Sequence, residues 1–145
     1  MASGEALLLA GEAYEDFIAL RDELQPGVPI LLHEYDRPFP DGRPAEFLKA
    51  IKRGPWMKPY LKDARVPPEL RRPAMIYLIE RFKALVMRLA DKHPERFVVV
   101  DTNKTLRRKK LWKDELHPTT EGFEAIAKKV YAPLKARYPQ FPDWD

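Results

Sequence analysis

Val28-Pro29-Ile30-Leu31-Leu32-His33-Glu34-Tyr35 sets the architecture expected of this chain. The run is short, apolar and largely branched, and Gln25-Pro26-Gly27 precedes it, so it predicts a strand of the kind buried inside a parallel sheet. Phe97-Val98-Val99-Val100-Asp101 is a second such run. Helical spacing surrounds both. Leu7, Ala10, Tyr14, Phe17, Ile18, Arg21 and Leu24 predict an amphipathic helix over residues 5–24, in spite of Gly11. Met75 or Ile76, Ile79, Phe82, Val86 and Leu89 predict a long helix that stops at Lys92-His93-Pro94. A last helix should begin near Thr119 or Thr120, either of which can cap it. It carries Glu121 in its first turn and Phe123, Ile126, Ala127, Val130 and Leu134 inward, and Pro133 should kink or shorten its end. Alternating helices and strands give the α/β class.

The segment from Asp36 to Pro73 holds eight of the fifteen prolines, which favours extended loops and short helices over long regular elements. Trp56 and Tyr60 are expected to pin this excursion to the core. With 45% hydrophobic and 33% charged residues in 145, the chain has the composition of one modest globular domain, taken as residues 1–145. No apolar run approaches the roughly 20 residues that cross a bilayer, and Glu5 and Glu12 replace the basic start of a signal region, so no membrane partner and a cytoplasmic location are expected. The absence of cysteine excludes disulfides and thiolate metal sites.

The chemistry is concentrated in Trp112-Lys113-Asp114-Glu115-Leu116-His117-Pro118-Thr119. A neutral imidazole can take a proton from a hydroxyl, and a carboxylate on its other nitrogen fixes the tautomer and stabilises the imidazolium that forms. Asp114 and His117 are the candidates for those two roles. The chain contains one serine, Ser3, near its start, and no cysteine, so no nucleophile is evident. Ser3 lacks the positioning a bound nucleophile needs, and Thr119 and Thr120 are better explained as helix-cap residues.

Asp-x-x-His-Pro-Thr followed by an amphipathic helix resembles the last block of the SGNH (GDSL-type) ester hydrolases. The strand 28–33 running into Tyr35-Asp36-Arg37-Pro38-Phe39-Pro40-Asp41-Gly42, and then Gly54-Pro55-Trp56, resembles the middle and late parts of a bacterial subgroup of that family. The similarity extends over roughly residues 10–137 and covers the C-terminal half of the fold. The resemblance implies a partial flavodoxin-like, three-layer α/β fold with few parallel strands and flanking helices. It also implies ester hydrolysis with Asp114 orienting His117 as general base. The family's Gly-Asp-Ser and Gly-x-Asn-Asp motifs, which supply nucleophile and oxyanion donors, do not occur here. The isolated chain is therefore expected to be inactive as an esterase, the alternative being a non-catalytic assembly or binding module.

In flavodoxin-like order, residues 28–35 and 97–101 would be the fourth and fifth strands, and the third, which pairs with the fourth, is missing. That leaves the edge at residues 29–34 as a template for association. A homodimer through this edge, or a complementary N-terminal half, is the expected partner. His33, Asp36 and Asp41 carry ligand-type side chains at a strand end, but Asp41-Gly42 is turn chemistry and Asp36 opens a proline-rich loop, so a structural role is preferred and neither metal nor cofactor is expected. Lys104, Arg107, Arg108, Lys109, Lys110 and Lys113 put six cations within ten residues beside Trp112. They read as a solvated face, with nucleic-acid binding held in reserve.

Overall fold

The computed structural model describes residues 2–47 and 51–143. Its elements run α1 (Ala2–Leu24), β1 (Ile30–His33), β2 (Ala45–Phe47), β3 (Ile51–Arg53), α2 (Lys58–Asp63), α3 (Pro68–Lys92), β4 (Phe97–Val100), a short 3-10 turn (Lys109–Leu111) and α4 (Thr120–Arg137). They form two compact units, one from Met1–Tyr35 with Leu78–Asp101 and the other from Asp36–Tyr77 with Thr102–Asp145. Among the described residues no helix is long and apolar enough to cross a membrane.

The first unit contains both strands read from the sequence. They pair in parallel, Ile30 opposite Phe97 and His33 opposite Val100, as a two-stranded sheet. Ile18, Val86, Leu89 and Phe97 form its core, with Tyr14, Ile30, Leu32, Phe82, Leu85 and Val99 packed around them. The Tyr14 ring meets Phe97 edge-on at 5.5 Å. Ion pairs fasten the C-terminal half of α1: Glu15 bonds Lys92 at 2.8 Å and His93 at 2.7 Å, while Asp22 bonds Arg96 at 2.7 Å.

Part of the expected α1 face is reversed. Tyr14 and Ile18 point inward, whereas Phe17 and Leu24 are more than half exposed and join Leu9 and Leu20 in a second apolar stripe. Two hydrophobic faces coexist on this helix, and periodicity alone does not say which one the sheet covers. The long helix also begins earlier than expected, at Pro68, and Pro73 lies within it. Only one intrahelical bond is lost there, near an end whose first N–H groups have no intrahelical partner in any case.

The second unit has little regular structure beyond α4, the short α2, the first turns of α3 and the antiparallel pair β2–β3, a hairpin the sequence reading did not anticipate. Its loops are tied by buried carboxylates. Glu115 is fully buried and accepts the backbone N–H of Gly42 at 2.8 Å, Met57 at 2.7 Å and Lys58 at 3.2 Å. Asp36, also buried, accepts the N–H groups of Arg37 at 2.7 Å, Lys104 at 2.9 Å and Leu106. Trp112 is buried and its indole N–H donates to Leu106 O at 3.0 Å.

Tyr60 and Trp56 do not pin the excursion as expected, both being exposed, and Pro38, Ala45 and Met57 are the apolar residues of the described part of this segment that are buried. α4 starts as expected, with the Thr119 hydroxyl accepting the Gly122 N–H at 3.2 Å. A Cβ at Gly122 would lie 2.6 Å from Leu111 O and 2.9 Å from Pro118, so only glycine lets the helix start this close to the loop before it.

Because Glu115 is the shared acceptor of three loop amides, Glu115→Ala should destabilise the protein by about 3 kcal/mol or more, and Glu115→Gln, which keeps one acceptor, by less. Chemical denaturation of the two variants beside the parent measures this.

Candidate active site

Asp114 and His117 belong to a tight loop of the second unit, closed at its base by the antiparallel bridge between Trp112 and Pro118. Within it, His117 O accepts the Lys113 N–H at 2.8 Å. The loop returns the chain onto itself in three residues, which turns the Asp-x-x-His spacing into contact. The Asp114 carboxylate is 1% exposed. It accepts the backbone N–H of Leu116 at 2.8 Å and of His117 at 2.9 Å, and both its oxygens lie within 3.0 Å of His117 Nδ1. An ionised carboxylate only accepts, so the imidazole donates from Nδ1.

Burial by itself would push the Asp114 carboxyl up. The Leu116 and His117 amides, together with the His117 ring, outweigh it and hold the group below the usual carboxylate range. The histidine side chain is 46% exposed, and among the described residues nothing bonds its Nε2. It lines a depression of about 270 Å³ together with Ala45, Lys113, Pro118, Thr120 and Phe123. Phe123 was expected to point inward along α4. It is 54% exposed, because the first turn of that helix borders the depression, and it supplies an apolar wall beside the imidazole. An orienting carboxylate, an imidazole with its far nitrogen open and an apolar wall suit removal of a proton from a hydroxyl or a water.

A nucleophile does not complete the set. Ser3 falls in the first turn of α1, within the first unit. The Thr119 hydroxyl caps α4 and donates to Leu111 O at 3.3 Å. Thr120 borders the depression without a hydrogen bond to the imidazole among the described residues.

The other candidates are dispersed. Asp41 holds its own turn, accepting the Arg43 N–H at 3.1 Å and pairing with the Arg43 and Lys109 side chains. Gly42 beside it has a φ of 88°, as the turn reading of Asp41-Gly42 requires. His33 belongs to the first unit and Asp36 and Asp41 to the second. Among the described residues no three His, Cys, Asp or Glu side chains are grouped to hold a metal ion.

All six cations of the basic run are exposed, and three of them face carboxylates. Lys109 pairs with Asp41 at 2.9 Å, and Arg108 and Lys110 reach Glu121 at 3.9 and 3.7 Å. A second carboxylate cluster escaped the sequence reading. Glu34, buried just beyond β1, pairs with Lys83 at 2.9 Å, and Asp101, just beyond β4, lies 3.7 Å from the same ammonium. Burial and the neighbouring Asp101 push the Glu34 carboxyl up, against the pull of Lys83. Its signal was an acidic residue directly following each strand.

Compared with known protein families, with curated proteins and with solved structures, the chain matches none.

The depressed Asp114 carboxyl sets a pH dependence. Its stabilisation is complete above the ordinary carboxylate range and is lost as pH falls through the lowered folded-state value. Asp114→Asn should therefore cost about 1–3 kcal/mol at neutral pH. The gap from the parent should close below about pH 4, where protonation removes the same bonds from the parent. Paired denaturation curves from acid to neutral pH test this.

Proposed function

We propose that the chain is the dyad-bearing, C-terminal half of an SGNH/GDSL-type ester hydrolase, with a partial flavodoxin-like arrangement, and that by itself it does not hydrolyse esters. The observation that carries the reading is the Asp114–His117 pair: a buried carboxylate on Nδ1 and a solvent-facing imidazole beside an apolar wall. The parallel pairing of β1 with β4 supports the same order of elements. In this reading Nε2 takes the proton of a hydroxyl carried by another polypeptide while Asp114 stabilises the imidazolium. That polypeptide also brings the oxyanion donors.

Purified chain and His117→Ala should turn over a short activated ester at the same background rate. A parent rate well above that of the variant would overturn the inactive-half reading and assign a working nucleophile to this chain.

An assembly role is the second reading, and two features of the first unit favour it. Among the described residues β1 pairs in a sheet only with β4, and in this reading its outer side receives a third strand from a second copy or a complementary half. The exposed stripe of Leu9, Phe17, Leu20 and Leu24 on α1 adds apolar surface of the kind that marks contact faces. Sedimentation of the purified chain should show dimer growing with concentration in the micromolar range. A monomer throughout would remove the homodimer.

A further inference from the structure

We propose that the second unit carries a binding site for a small phosphorylated molecule, in the cleft lined by Asp36, Arg37, Arg72, Lys104, Leu106 and Arg107. The cleft encloses about 320 Å³, at the small end of the range for ligand sites. Four of the six lining side chains are cationic and one is acidic. The acidic one is already committed: the Asp36 carboxylate is buried and accepts three backbone N–H groups, from Arg37, Lys104 and Leu106. Its charge is spent on joining the loop after Tyr35 to the turn at residues 102–106, and those amides hold it in place.

The cations differ from their neighbours in sequence. Lys109, Arg108 and Lys110 each face a carboxylate, whereas Arg72, Lys104 and Arg107 have no acidic partner among the described residues. Arg72 is also held ready. Its guanidinium lies 3.9 Å over the Phe39 ring, which fixes the plane of the group. Arg107 is steadied by the bond from its Nε to Lys104 O at 3.0 Å. A planar arginine fork and a lysine point charge around one cleft suit the oxygens of a phosphate, and a dianion offsets the excess positive charge better than a single carboxylate does.

The site stands independently of the Asp114–His117 reading, since none of its residues belongs to that depression. Its occupant is taken to be small because the adjoining cations that would continue a nucleic-acid track are paired with Asp41 and Glu121.

The test is amide-detected NMR titration at low ionic strength with inorganic phosphate, with glycerol phosphate as a monoester, with succinate, and with a single-stranded oligonucleotide. Saturable shifts at residues 36–37 and 104–107 are expected with both phosphate probes. A tighter response to the monoester identifies an esterified ligand, and an equal one identifies free phosphate. Arg72→Gln and the surface variant Arg107→Ala should each weaken binding by about tenfold or more, with the rest of the spectrum retained. Three results would overturn the proposal: no saturable shift at millimolar phosphate, binding unaffected by Arg107→Ala, or an oligonucleotide response that neither phosphate probe displaces. The last would assign the cleft to a nucleic-acid backbone.

Discussion

Carboxylates buried against backbone N–H groups are the constraint on which the second unit depends. The proline-rich stretch between β1 and α3 satisfies few of its amides in ladders or long helices, and an unpaired amide away from water costs as much as a lost hydrogen bond. Glu115 resolves this for Gly42, Met57 and Lys58, and Asp36 for Arg37, Lys104 and Leu106. Asp114 does the same for Leu116 and His117. One chemical device therefore recurs three times: an acidic side chain replaces the regular backbone partner that the local sequence forbids.

The functional surfaces follow from that device. Asp114 and Glu115 are neighbours in sequence and both are buried, one orienting the imidazole and the other clamping the loops of the excursion. Because the carboxylate under His117 has its geometry set by two amides, the ring is oriented without help from a nucleophile. Asp36 works likewise beneath the cationic cleft, where its charge is taken up by backbone donors and Arg72, Lys104 and Arg107 have no carboxylate partner among the described residues. In the first unit the acidic groups beyond the strands are handled differently. There a single ammonium, Lys83, faces Glu34 and Asp101 at the carboxyl ends of a parallel pair.

Much of the order of elements was legible. The two apolar runs became β1 and β4, paired in parallel, and Thr119, one of the two candidate threonines, became the cap of α4. Asp114 and His117 were identifiable as a carboxylate and an imidazole three residues apart, and the Trp112–Pro118 bridge with the Lys113–His117 bond is what brings their side chains together. The hairpin β2–β3 was not legible, since strands of three residues carry too short a pattern to be read. The exposure of Phe17 and Phe123 was not legible either, because both sit at helical spacing with residues that are packed.

The sequence by itself determined the α/β alternation, the positions of α1, β1, β4 and α4 to within a few residues, and the closeness of Asp114 to His117 along the chain. These depend on local periodicity, turn chemistry and short separations. Only the tertiary structure decided which face of α1 covers the sheet, which cations keep a carboxylate and which are left around the cleft, and that Glu115 and Asp36 gather amides from distant loops. Most of those outcomes depend on contacts between residues far apart in the chain, such as Glu115 with Gly42 and Asp36 with Leu106, which are 73 and 70 positions apart. No periodic or spacing signal in the chain encodes such contacts.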